Sequence, residues 1–176
     1  MSKNFVSLAC AIACSFIWGT AFIAQDMGMD FIGPYTFSAV RLALGFLALL
    51  PFFFIFEYQK VKNTRLELKF IIGYLFLLGF FLAGGNIFQQ VSLLYTDVAN
   101  SAVFTVLYVV IVPVIAYFLF SKKIHNSVWP SVLMCLIGGL LLSELDNIRV
   151  RFGDSLVIVG AFFWAFHIVY TDRKST

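Results

Sequence analysis

Long apolar runs separated by short polar stretches set the pattern of this chain. Six runs stand out, at about Phe5–Ala24, Pro34–Phe56, Phe70–Val91, Val98–Phe120, Val128–Leu142 and Ser155–Tyr170. None alternates polar and apolar positions as a barrel strand does, and the runs are too long and too uniform for strands. A helix needs about 20 apolar residues to cross a hydrocarbon core about 30 Å thick, and the first four runs supply them. The last two are nearer about 16 residues, or about 24 Å of helix, and predict interfacial flanks or local bilayer thinning. The pattern predicts an all-α integral membrane protein with six transmembrane helices. Composition agrees: 61% of the residues are hydrophobic, 12% are charged and the mean hydropathy is +0.95, which excludes an ordinary soluble domain.

Near its end the chain begins to repeat its start. Phe16-Ile17-Trp18-Gly19-Thr20-Ala21-Phe22 and Phe162-Phe163-Trp164-Ala165-Phe166-His167-Ile168 are both apolar, with a Trp at the same place and a small residue after it. The first run opens a unit of five runs and the sixth opens the next. An odd number of crossings reverses orientation, so a second unit would sit upside down relative to the first, as in transporters built from inverted repeats. The expected division is residues 1–145 for the first unit and 146–176 for the start of the second.

Charge orients the bundle. With the N-terminus inside, the inner segments carry Lys3, Lys60, Lys62, Arg65, Lys69, Lys122, Lys123, Arg173 and Lys174, whereas the outer ones carry only Arg149 and Arg151. The excess of Lys and Arg marks the cytoplasmic side, so both termini are expected there. The acids Asp26, Asp30, Asp97, Glu144, Asp146 and Asp154 fall outside. The +3 net charge reflects this asymmetry, and without a basic patch interleaved with exposed aromatics it predicts no nucleic-acid partner. The first run outlasts a signal-peptide core of about 7–15 residues, and no small-x-small site closes it. Cys10, Cys14 and Cys135 all lie inside spans and form no disulfide framework.

Polar groups inside the spans are the candidate chemistry. Arg41 lies about 10 Å inside the second span, where an arginine costs about 2.5–3.5 kcal/mol on insertion scales. It reads either as an anion contact or gate charge, or as a structural group paired with carbonyls or Asp97, or snorkelling outward. Asn86, Gln89 and Gln90 share a face of the third span, and Ser101, Thr105 and Tyr108 share a stripe of the fourth. With Thr20, these groups occupy the outer half of the bilayer, which favours a polar cavity open to the outside over scattered interhelical hydrogen bonds. Pro113 cannot donate to the Val109 carbonyl, so a kink is expected there. Gly84-Gly85, Gly138-Gly139 and the line Ala11, Ser15, Gly19 predict close helix packing. Trp129-Pro130 reads as an interfacial anchor followed by a first-turn proline. His167 can titrate near neutral pH, and reads either as a proton-coupling group or as a histidine bonded to a carbonyl. The chain has no H-E-x-x-H, no G-x-S-x-G and no Cys/His metal cluster, so neither an enzyme nor a cofactor is expected; His125 stands alone in an inner loop.

Together these motifs resemble the EamA-type repeat of the drug/metabolite transporter superfamily. Phe16 to Phe22 looks like its first-helix signature, and Pro34 through Ala39-Val40-Arg41-Leu42 resembles its second-helix start. Asn86 to Thr96 followed by Ala99-Asn100-Ser101-Ala102 resembles its third-to-fourth helix junction. Tyr108 through Val112-Pro113 is similar to its fourth helix, and Gly153-Asp154 through Trp164 to His167 is similar to the opening of its second repeat. Where that family often carries a Gly-Glu pair, this chain has Ser121-Lys122-Lys123. The resemblance implies ten helices in two inverted repeats and secondary transport of small metabolites or drugs, often export, without a bound cofactor. The chain is then one five-helix repeat plus the first helix of an inverted second one, with four helices missing. Its expected place is the bacterial inner membrane, and its partners are a small-molecule substrate, the lipid bilayer and either a missing carboxy-terminal repeat or further copies of itself. The expected substrate-binding residues are Arg41, Asn86, Gln90, Thr105, Thr20 and Tyr108, with His167 the candidate for coupling. A short protein acting as a homo-oligomer, or a non-transporting membrane adaptor, is the alternative.

Overall fold

A computed structural model describes residues 3–63, 68–121, 124, 126, 128–142 and 151–173. The expected boundary at residues 145 and 146 lies outside these, as do Arg65, Lys122, Lys123, His125, Glu144, Asp146, Arg149 and Lys174. Helix α1 spans Lys3–Met29 and α2 spans Pro34–Phe52. Pro34 opens α2 at a position where its missing N–H costs nothing. Pro51, near the other end, removes a donor from the ladder, and α2 loosens into a π-helical stretch at Phe53–Glu57 before α3 at Tyr58–Asn63. Helix α4 is Leu68–Ser92, α5 Val98–Thr105 and α6 Tyr108–Phe120. Helix α7 is Val128–Leu142 and α8 is Phe152–Arg173. Counting α2 with its continuation and α5 with α6, six membrane-scale units result. Five are long and apolar enough to cross a bilayer, and α7 contributes a shorter apolar helix. No strand occurs among the described residues.

Three details correct the expectations. Helix α8 has 22 residues, because Asp154 and the polar Thr171–Arg173 turn are helical although they fall outside the apolar run; at about 33 Å it needs no thinned bilayer. The fourth span is interrupted at Val106–Leu107, which the apolar pattern does not predict, and α6 continues through Pro113. At the interruption the ladder tightens to i→i+3 bonds, with the Leu107 amide on the Phe104 carbonyl at 3.2 Å and the Val109 amide on the Val106 carbonyl at 2.9 Å. Beside it the Thr105 hydroxyl back-bonds to the Ser101 carbonyl at 2.7 Å, a kind of contact that often accompanies a bend. Finally, the line Ala11, Ser15, Gly19 is exposed, and a Cβ on Gly19 or Gly138 would meet no atom within 4 Å. Among the described residues no helix packs against Ala11, Ser15 or Gly19.

The core is built around α8. Val157, Ala161, Ala165 and Val169 recur every fourth residue and are buried, at 1%, 0%, 0% and 4% exposure. That stripe lies chiefly against α4, and then against α6 and α5. Small residues allow the approach: Gly160 sits with its Cβ position 3.3 Å from the Gly85 carbonyl, and Gly84 lies under the Phe163 ring. An aromatic seam closes the contact, with Phe81 stacked on Phe166 at 5.3 Å and on Tyr170 at 5.8 Å. The Tyr74 hydroxyl donates to the Tyr170 carbonyl. Aligning Trp18 with Trp164 places Ala11, Ser15 and Gly19 opposite Val157, Ala161 and Ala165 in sequence. The stripe that is fully packed on α8 is thus uncovered on α1. Ser121 ends α6 in the left-handed region, at φ 51°, a conformation glycine takes freely and serine only at a cost of about 1–2 kcal/mol.

Candidate functional site

Helix α4 is the polar hub. Asn86, Gln89 and Gln90 lie on one arc of it, and the structure sends each to a different neighbour. Asn86 accepts from the Arg41 guanidinium of α2 through Oδ1 and donates to its own helix at the Leu82 carbonyl, at 2.8 Å. Gln89 reaches α5, where its Nε2 donates to Thr105 Oγ1 at 3.0 Å. Gln90 reaches α1, where its Nε2 donates to the Gln25 carbonyl at 3.4 Å. Ser92 Oγ donates to the Gln89 carbonyl at 2.6 Å and lies 3.2 Å from Ser101 Oγ. Amides and hydroxyls in an apolar bundle need such partners, and these bonds tie four helices together.

Arg41 has no carboxylate partner among the described residues; Asp97 pairs instead with Arg151 at 2.6 Å. A guanidinium carries five N–H donors, and among the described residues one bond, to a neutral amide, is made. Of the other expected site residues, Thr105 belongs to the α4–α5 contact. Thr20 is exposed and bonds to carbonyls of its own helix, Ile17 at 2.9 Å and Phe16 at 3.2 Å. Tyr108 stacks on Trp18 with centroids 6.3 Å apart, and Trp18 in turn lies 5.9 Å from Trp164. His167 is held by its Nδ1, 3.0 Å from the Leu78 carbonyl, with its ring edge-on to Trp164 at 6.4 Å. The structure therefore joins Arg41 to Asn86, and Gln90 one turn beyond, but leaves Thr20, Tyr108 and His167 apart from them.

Sequence reasoning missed Gln25 and Ser38, both 2% exposed. Gln25 falls just outside the first apolar run, yet Trp18, Phe22 and Gln25 follow helical spacing on one face. Ser38 stands three residues before Arg41 and shares its face. It also missed the end of the bundle where α8 begins. Asp154, 2% exposed, accepts from Thr96 Oγ1 at 2.5 Å and from the Arg151 amide at 2.8 Å. A Cβ on Gly153 would stand 2.8 Å from the Ser92 carbonyl oxygen. Two cavities stand away from these residues. One of about 510 Å³ is walled by Val114, Tyr117, Phe118, Ile124 and Trp129, and one of about 180 Å³ lies between α6 and α8 with Asp172 at its edge.

The Gln89–Thr105 bond invites a direct measurement. A double-mutant cycle with Gln89→Leu and Thr105→Val is expected to give a coupling of about 0.6 kcal/mol, the usual value for such bonds in membrane bundles. A coupling indistinguishable from zero in detergent unfolding would show that the hub does not join α4 to α5.

Long apolar helices around an intramembrane polar hub define a multi-pass helical membrane protein. The chain belongs to the EamA-like transporter family, which matches residues 6–144. An Archaeoglobus fulgidus protein named as an uncharacterized transporter is 27% identical over 99% of this chain and 51% of its own length. The uncharacterized transporter YwfM of Bacillus subtilis is 30% identical over 92% of this chain and 53% of its own. YoaV of the same organism, also named as an uncharacterized transporter, is 28% identical over 93% and 56%. The chain thus spans about half the length of the curated relatives it matches. No solved structure matches it significantly.

Proposed function

We propose that this chain supplies the first five-helix unit, residues 1–145, and the opening of an inverted second unit, residues 146–176, of a secondary transporter for small metabolites. Transport proceeds by alternating access, with a site near the midplane alternately opened by rocking of the two units, and with export as its direction. The protein lies in the bacterial inner membrane with both termini cytoplasmic, following the Lys and Arg bias. The end of the bundle holding Asp30, Asp97 and Arg151 is then external. The observation that carries the reading is Arg41. A guanidinium held by a neutral amide, with no acid beside it among the described residues, is poised for an anionic group of the substrate. Asn86 orients it, Gln90 lies one turn outward, and α1 and α2, packed more loosely than α4 and α8, are the elements free to open.

The test is counterflow of labelled small metabolites in membrane vesicles, with the protein at its natural length. Arg41→Gln is expected to cut flux about a hundredfold, the loss of one charge-assisted contact of about 2.7 kcal/mol, with expression and melting temperature retained. Flux unchanged by Arg41→Gln in a folded protein would remove Arg41 from the site. Absence of flux for every metabolite in the wild type would favour the adaptor reading.

A further inference from the structure

Three buried oxygens at the junction of α1, α2 and α4 have no hydrogen-bond partner: Gln25 Oε1, Gln90 Oε1 and Ser38 Oγ. Their residues are 2%, 0% and 2% exposed. Leaving such atoms unpaired is costly, and native proteins leave few of them. Both amides are fixed in orientation. The Gln25 Nε2 donates to the Ala21 carbonyl at 3.0 Å and the Gln90 Nε2 to the Gln25 carbonyl at 3.4 Å, so a flip would set oxygen against oxygen.

The three residues meet. Gln25 and Gln90 are joined by that bond. Helices α2 and α4 run antiparallel and are pinned at Arg41–Asn86. Ser38 is three residues from Arg41, and Gln90 four from Asn86, both toward the same end, so Ser38 and Gln90 lie level. The niche stands about 4.5 Å of helix rise from Arg41. Toward the helix ends α1 and α2 pack closely, and a Cβ on Gly28 would lie 2.3 Å from the Phe37 ring.

We infer that Gln25, Ser38 and Gln90 form a donor-accepting subsite beside Arg41, which takes the hydroxyl of a small hydroxylated anion whose carboxylate sits on Arg41. This rests on the Arg41 reading above. The niche offers acceptors, so its guest must donate. A neutral hydroxyl suits it better than an ammonium, because Arg41 stands about one turn away and two cations at that range repel in a protein interior of effective dielectric about 20. Because Ser38 and Gln90 lie within about one turn of Arg41 and Asn86, the hydroxyl of this guest is placed on the carbon next to its carboxylate.

Three probes differ only at that carbon: hexanoate, 2-hydroxyhexanoate and norleucine. Their binding would be measured by thermal shift and competition on the protein at its natural length in lipid nanodiscs. The hydroxy acid is expected to bind about tenfold more tightly than hexanoate, the equivalent of one satisfied hydrogen bond, and norleucine no more tightly than hexanoate. Ser38→Ala and Gln25→Leu, each checked for an unchanged melting profile, are expected to shrink the hydroxyl advantage below about threefold. Equal affinity for hexanoate and 2-hydroxyhexanoate, with Arg41→Gln abolishing both, would overturn the subsite and leave the Arg41 site standing. Norleucine as the tightest probe would overturn the neutral-donor assignment. Binding of none of the three, or binding indifferent to Arg41→Gln, would overturn the Arg41 reading itself.

Discussion

Asp154→Ala is expected to destabilise the bundle by about 3 kcal/mol, the cost of breaking a buried pair of charge-assisted hydrogen bonds. The carboxylate is 2% exposed and divided between two donors: Oδ1 takes the Thr96 hydroxyl at 2.5 Å and Oδ2 takes the Arg151 amide at 2.8 Å. The second bond satisfies the amide just before α8, and the charge lies in the first turn, where the helix dipole favours an anion. The first bond carries the turn between α4 and α5 onto the start of α8. Removing the side chain therefore leaves Thr96 without its acceptor and α8 without its first tie. Asp154→Asn retains acceptor capacity but loses the charge, and about half of the effect is expected. The neighbouring Arg151–Asp97 pair is a useful contrast. At 2.6 Å it is just as short, but the two side chains are 51% and 67% exposed, so Arg151→Ala should cost no more than about 1 kcal/mol. Reversible unfolding in mixed detergent micelles would rank the three variants. Equal, small losses for Asp154→Ala and Arg151→Ala would show that burial gives the Asp154 contact no special weight.

The second large effect is expected at Gly84. A methyl group there would stand 2.3 Å from Cδ1 and 2.5 Å from Cε1 of Phe163. The ring cannot easily retreat, since it is packed at 5.7 Å from Phe80, 6.0 Å from Phe81 and 5.4 Å from Phe88. Gly84→Ala should cost about 1–3 kcal/mol, the usual range for overpacking a filled interior, and Gly84→Leu more. The cause is steric, so a smaller partner should restore part of the loss: Gly84→Ala with Phe163→Leu is expected to be more stable than the sum of the two single changes predicts. Additive losses in the double variant would place the origin of the effect in the backbone of α4 and not in its contact with α8.

The sequence told most where one residue type settles the matter. The all-helical membrane fold follows from apolar runs, because no other arrangement satisfies backbone groups in lipid except a closed barrel, and α7 falls on the residues its run marks. Helix α8 outruns its apolar stretch because a carboxylate can lie inside a helix end when, like Asp154, it is bonded there. Pro113 marks where a kink is expected in the fourth span, and α6 continues through it. The interruption at Val106–Leu107 was not legible, because tightened turns of this kind depend on local hydrogen bonds that periodicity does not report. At the site, Arg41 and Asn86 were legible one by one as polar groups at similar depth. Their pairing was not, because they are 45 residues apart, and Asp97, the acid named as a partner for Arg41, is taken by Arg151. The amides of α4 share a face, as spacing requires, but a face on a central helix touches several neighbours, so that one stripe serves three contacts.

The contact between Trp18 and Trp164, at 5.9 Å and 57°, has a geometric meaning in the proposed mechanism. In the proposed two-unit arrangement these residues would be counterparts, and counterparts that touch would lie beside the axis relating the units. When an inverted-repeat protein changes from one facing to the other, each unit adopts the shape its twin has given up. Any distance between a residue and its own counterpart is then the same at both ends of the cycle, read once from each side. On that proposal the tryptophan pair would be a fulcrum: a point about which everything else trades places, and the contact that the swap itself leaves unchanged.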